Sequence, residues 1–131
     1  MNLNNLYDLA EKEKIKVYDW YIENAYGCFI NIDKINAIGL NYKNIDNSYI
    51  EKETLAEELG HYYQNATYPI NCTDTTLISK QEYRAKKYAR MVLIPYENFK
   101  LAILKRSWYS LCSCRIFWSY SQIYGWNNRI L

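Results

Sequence analysis

The only histidine of the chain, His61, follows two adjacent glutamates in the stretch TLAEELGHYY, residues 54–63. On a helix, residues four positions apart lie on one face, so the side chains of Glu57 and His61 can converge on one point. Glu58 is rotated by about 100° from Glu57 around such a helix, and its carboxylate can reach a water molecule held at that point. Imidazole nitrogen and carboxylate oxygen both bind Zn²⁺, so this spacing is compatible with a metal centre that has Glu58 as its general base.

The pattern is close to the H-E-x-x-H motif of zinc metalloproteases, in which two histidines one helical turn apart bind the metal. Here the first histidine position holds Glu57. A zinc site of this kind also needs a third protein ligand and an open position for water. Glu82 is the natural candidate, because it opens a following segment that is otherwise apolar and basic.

The same residues also have an interpretation that involves no metal. A surface helix with two glutamates and one histidine is common, and E-E-x-x-H occurs by chance in many proteins. Glu82 has a plain structural role as the N-terminal acid of its own helix, where the helix dipole favours a negative charge. The spacing alone leaves both interpretations open.

The elements that position these residues follow from the hydrophobic pattern. Apolar residues at helical spacing predict a first helix over residues 3–13, and the β-branched and aromatic runs IKVYDWYI and CFINIDKINAIGLNY predict a small antiparallel sheet. Ser48 with Glu51 matches a capping box, so a helix is expected from there to about Gln64. Another helix is expected to open near Ser79 and to end before Pro95, and YENFKLAIL predicts a further short helix. This order indicates an α+β fold.

Length and composition narrow the class of protein. The 131 residues suit one domain, half of them are hydrophobic, and four glycines with two prolines argue against a disordered or fibrous chain. No run of 18 apolar residues occurs and the N-terminus lacks an apolar signal core, so we expect a cytoplasmic protein without a membrane partner. The four cysteines form no C-x-x-C pair, which favours free thiols.

Two motifs in register resemble the ImmA/IrrE family of zinc-dependent metallopeptidases, which occur in prophages and mobile elements. The family has a helix L-A-H-E-L-G-H, to which LAEELGH at residues 55–61 is similar. The family then has E-x-x-A-x-x-F/Y-A-x-x-L-L-x-P, which is matched some twenty residues on by Glu82, Ala85, Tyr88, Ala89, Leu93 and Pro95. The stretch AIGLNY before the motif helix also fits, and the resemblance covers residues 3–104.

The resemblance implies a zincin-like active-site helix, with His61 and Glu82 as zinc ligands and Glu58 as the catalytic base. Glu57 then stands in for the first histidine as a ligand, and two carboxylates shift the preference of the site towards harder ions such as Mn²⁺. The implied function is an endopeptidase that cleaves or inactivates a helix-turn-helix repressor encoded beside it. The alternative is a catalytically inactive relative that binds the repressor without hydrolysis.

Residues 105–131 differ in character from the domain before them. This tail holds three of the four tryptophans and no acid, and residues 98–131 carry five Lys and Arg. It is interpreted either as an aromatic tail packed on the domain or as an out-of-frame translation. From Ser113 onward, a shifted reading frame with permitted codons reads LAEYFGVTPKYMDGIIEY, which resembles the C-terminal helices of the family. Nucleic-acid binding by the basic tail is the weakest alternative, so no direct nucleic-acid partner is expected.

Overall fold

The computed structural model describes residues 1–104, which form four helices and three strands. In chain order they are α1 Leu3–Lys12, β1 Lys16–Asp19, β2 Gly27–Ile32, β3 Ile35–Leu40, α2 Ser48–Tyr63, α3 Thr75–Leu93 and α4 Tyr96–Leu104. The predicted α+β class is therefore confirmed, with the C-terminal half of the described chain helical. Within it, no helix is both long enough and apolar enough to cross a membrane. The interpretation of the tail at 105–131 lies outside the described residues.

The three strands form a mixed sheet in the order β1-β3-β2. Strands β2 and β3 are an antiparallel hairpin, whose two-residue turn Asp33-Lys34 has φ values of 50° and 67° at its centre. Strand β1 pairs with β3 in the parallel direction, with Val17 opposite Ile38. The expectation of an antiparallel sheet is correct for the hairpin and wrong for β1, because alternation along a strand does not specify its neighbour.

The core lies between one face of this sheet and the helices α1 and α2. Strand β3 contributes Ile38 and Leu40, both fully buried, and α2 contributes Leu55 and Leu59. Helix α3 joins the same cluster through Ala89. Helix α2 packs against the sheet on one side and against α3 on another side. Residues 57–61 of α2 therefore lie between the sheet and α3.

Helix α2 begins as predicted at Ser48, but its N-cap is Asn47. The Asn47 side-chain oxygen accepts hydrogen bonds from the backbone N–H groups of Tyr49 and Ile50, both at 3.0 Å. The expected capping box is therefore absent here. Instead of reaching back to the cap, the carboxylate of Glu51 accepts hydrogen bonds from the hydroxyl groups of Tyr7 and Tyr42, which ties α2 to α1 and to the end of β3.

Replacing Asn47 with alanine should lower the free energy of unfolding by about 1 kcal/mol, because two N–H groups at the start of α2 lose their acceptor. Urea denaturation followed by circular dichroism measures this loss. Ser48→Ala is the matched control and should change stability by less than half as much. A larger loss for Ser48→Ala would contradict the assignment of the cap.

Helix α3 begins at Thr75, about one turn before the predicted start near Ser79, and Asp74 is its N-cap. The Asp74 carboxylate accepts hydrogen bonds from the N–H groups of Thr76 and Leu77. Glu82 consequently lies two turns inside the helix. Since the dipole effect falls off within the first turn, an N-terminal role does not account for Glu82.

Candidate metal centre

Three side chains from two helices converge beside the core. The ligand atoms of Glu57 and His61 on α2 and of Glu82 on α3 all lie within 4.8 Å of one another. The Nε2 atom of His61 is 3.6 Å from Oε1 of Glu82. Two ligand atoms of a tetrahedral zinc ion are separated by about 3.4 Å, so this pair is already close to the spacing that zinc requires.

The imidazole of His61 is held by the end of its own helix. Its Nδ1 atom lies 2.6 Å from the carbonyl oxygen of Ala66, which can only accept, so Nδ1 carries the proton. The Nε2 atom, which faces Glu82, is then left with the lone pair that a metal needs. This arrangement, in which the second ring nitrogen donates to a backbone carbonyl, is typical of histidine ligands.

The turn after α2 places the Ala66 carbonyl at this position. The N–H of Ala66 donates to the carbonyl of His61, and the N–H of Asn65 donates to that of Tyr62. Asn65 has a left-handed φ of 46°. These are the bonds of a Schellman motif, which folds the chain back under the last turn of the helix. His61 and the carbonyl group that orients its ring are thus fixed by one local structure.

Glu58 points between α2 and strand β2. It is 7 % exposed, and its carboxylate accepts a hydrogen bond from the backbone N–H of Phe29. Burial, followed by the charges of Glu57 and Glu82, raises the pKa of Glu58 to about 8. A carboxyl group with a pKa near neutrality suits a residue that accepts a proton and then returns it.

Glycine at positions 27 and 60 permits close contacts of strand β2 and helix α3 with helix α2. A Cβ atom added at Gly27 would lie 2.6 Å from Cγ2 of Thr54 and 3.2 Å from Oε1 of Glu58. A Cβ atom added at Gly60 would meet the backbone of Ala85, with its carbonyl carbon at 3.0 Å and its oxygen closer still. The absence of a side chain at Gly60 therefore allows α3 to approach α2 closely enough for Glu82 to reach His61.

Two further side chains at this centre were not predicted from the sequence. Tyr68, in the loop after α2, donates a hydrogen bond of 2.7 Å to Oε1 of Glu82. Lys86, one turn after Glu82, places its Nζ atom 3.6 Å from Oε1 of Glu57 and 3.8 Å from Oε2 of Glu82. The i,i+4 spacing from Glu82 was a sequence signal for Lys86. No spacing in the sequence indicated Tyr68, because its position depends on the path of the loop after α2.

The electrostatic state of Glu57 reflects two opposing influences. Burial raises the pKa of its carboxyl group, while the charge of Lys86 acts in the opposite direction and that of Glu82 adds to the increase. The geometry brings together three of the four predicted residues, Glu57, His61 and Glu82, and places the fourth, Glu58, against strand β2. It also argues against a simple solvated face, since Glu58 and His61 are 7 % and 8 % exposed.

No family model, curated protein or solved structure matches this chain. Membership of the ImmA/IrrE family therefore stays a prediction from the two motifs. The finding that bears directly on function is the group of Glu57, His61 and Glu82, which could hold a metal ion.

Proposed function

We propose that this protein is a zinc-dependent endopeptidase of the ImmA/IrrE type, with Glu57, His61 and Glu82 as metal ligands and Glu58 as the general base. One observation carries the proposal. Three donor atoms converge within 4.8 Å on a buried histidine whose other ring nitrogen is already bonded to a backbone carbonyl. A purely structural cluster of acids would not need that orientation of the imidazole.

A divalent cation in this position would polarise a scissile carbonyl and acidify a water molecule. Glu58 would take a proton from the water as its oxygen adds to the scissile carbonyl, and would return that proton to the amine as the C–N bond breaks. The Phe29 N–H holds the Glu58 carboxylate on the strand side, so the base is directed between α2 and β2. Tyr68 holds the Oε1 atom of Glu82, which orients that carboxylate towards His61.

The neighbouring strand supports a polypeptide as the substrate. Strand β2 is at the edge of the sheet, so alternate backbone N–H and C=O groups point away from β3, and of these the Phe29 N–H is already bonded to Glu58. An extended peptide can pair with such an edge through main-chain hydrogen bonds. Because Gly27 and Phe29 of this strand lie against Glu58, a peptide bound there would run beside the base. The substrate implied by the resemblance is a helix-turn-helix repressor.

The ligand set bears on the identity of the metal. Two carboxylates and one imidazole are acceptable to zinc, but compared with two imidazoles and one carboxylate they favour harder ions. We therefore propose Zn²⁺ as the cofactor and Mn²⁺ as its competitor. Both should be tested in the same titration.

A second candidate function is a relative that binds the repressor without cleaving it. Two observations favour it: Glu57 replaces the first histidine of the motif, and the Lys86 ammonium group already lies near both carboxylates. In that case the fold and the exposed edge of β2 would serve recognition alone.

Zinc titration of the full-length protein, prepared free of metal, separates the two candidates. We expect one ion per chain in the unmodified protein, and an affinity about tenfold higher in Glu57→His, because imidazole nitrogen is the better ligand for zinc. His61→Ala is the control that should lose stoichiometric binding. Calorimetry gives the affinity and elemental analysis gives the metal content. Binding by Glu57→His alone would show that the natural site is empty and would favour the second candidate.

A further inference from the structure

Lys86 is a cation placed beside two carboxylates that the proposed function assigns to a metal. Its ammonium group contacts Oε1 of Glu57 and Oε2 of Glu82, at 3.6 and 3.8 Å. The other oxygen of Glu82, Oε1, faces His61 Nε2 and accepts from Tyr68. Lys86 therefore contacts the Glu82 oxygen that does not face His61, and it bridges α2 to α3.

The charges of the cluster explain why a cation belongs at this position. A site with two neutral histidines and one glutamate carries one negative charge before metal binds. With Glu57 in place of a histidine the ligands carry two, and the positive charge of Lys86 returns the local total to one. Two carboxylates this close would otherwise repel each other in a partly buried setting.

The Lys86 ammonium group can leave its contact with Glu57 and Glu82. The Lys86 side chain is 46 % exposed, whereas those of Glu57 and Glu82 are 26 % and 28 % exposed. Both nitrogen–oxygen distances are longer than a close charge-assisted hydrogen bond. A long, flexible lysine side chain in this setting can withdraw into solvent without breaking the fold.

We propose that Lys86 is the counter-cation of the Glu57–Glu82 pair, which it holds together in the metal-free protein, and that a divalent ion binds against its charge. Lys86 is thus a positioning residue that sets the metal affinity of the site. The second part of this inference rests on the proposed function, whereas the first part concerns the metal-free protein and stands independently.

The test uses full-length Lys86→Met, which keeps the length of the side chain and removes its charge. Without metal, the melting temperature of this variant should fall by about 3 °C, because the two carboxylates lose their shared partner. Its zinc affinity should rise about tenfold, because the ion no longer meets a neighbouring positive charge. Lys86→Arg should restore both values towards those of the unmodified protein. Lys80→Met, on the exposed surface of the same helix, is the matched control and should change neither.

A lower metal-free melting temperature together with a higher zinc affinity in Lys86→Met supports the proposal, since a purely structural role for Lys86 would not raise zinc affinity. A lower or unchanged zinc affinity in Lys86→Met, in a protein that binds zinc, would overturn it. If neither protein binds zinc, the proposed function fails, and the metal-free melting temperatures decide the role of Lys86. A lower melting temperature in Lys86→Met alone then supports the role of Lys86 as counter-cation. Equal melting temperatures for all variants refute that role.

Discussion

Substituting Glu58 with glutamine should reduce peptide cleavage about 1000-fold while leaving zinc binding nearly unchanged. The amide keeps the size of the side chain but cannot accept the proton of the attacking water. The three proposed ligands, Glu57, His61 and Glu82, are untouched by this change. A loss confined to catalysis would therefore identify Glu58 as the base rather than as a ligand.

The same substitution should not destabilise the metal-free protein. Glu58 is 7 % exposed, and burial opposes the ionisation of its carboxyl group. A neutral amide at this position escapes the cost of a buried charge. We expect the melting temperature of Glu58→Gln to equal or exceed that of the unmodified protein.

The measurement is kcat/KM for the proposed substrate, a helix-turn-helix repressor, with products identified by mass spectrometry, beside a zinc titration of each protein. Glu53→Gln is the matched control, an exposed glutamate on the same helix, and should cleave at the unmodified rate. Cleavage that survives in Glu58→Gln would refute its role as base. Loss of zinc together with activity would instead assign Glu58 to the ligands.

The second large effect is expected from Gly60→Ala. In an isolated helix this change stabilises by about 1 kcal/mol, because alanine is the better helix former. Here the new methyl group would collide with the backbone of Ala85, which cannot move aside as a flexible side chain can. We expect the free energy of unfolding to fall by about 3 kcal/mol, the upper range for overpacking of a core.

Separation of the two helices has a second consequence. Glu82 lies on α3, so a displacement of that helix would move its carboxylate away from His61 and weaken the proposed metal binding. Urea denaturation and a zinc titration measure the two effects. Gly39→Ala is the control, because its nearest neighbours are side-chain atoms of Trp20 and Cys28 at 3.1 and 3.2 Å, and it should cost clearly less. A stabilised Gly60→Ala protein would contradict the close contact between α2 and α3.

Much of the local structure could be predicted because its causes are local. Hydrophobic periodicity placed α1, the Ser48–Glu51 pattern placed α2 and the stretch YENFKLAIL placed α4, each to within about two residues. The β2–β3 hairpin followed from β-branched residues around Asp33-Lys34. The start of α3 was misplaced, because Ser79 and Glu82 imitate a cap that Asp74 supplies. Capping patterns are short and recur inside helices, so they mark a boundary poorly.

The sequence by itself determined the α+β class and the candidates Glu57, Glu58, His61 and Glu82, and one turn of helix sufficed to place Glu57 beside His61. Only the tertiary structure decided that Glu82 meets them, because that contact joins two helices across 21 residues of chain and depends on the bare backbone of Gly60. It also decided the parallel pairing of β1, the contact of Tyr68 with Glu82 and the contact of Lys86 with Glu57. These contacts arise from packing between elements, which residue types and spacing along one element do not encode.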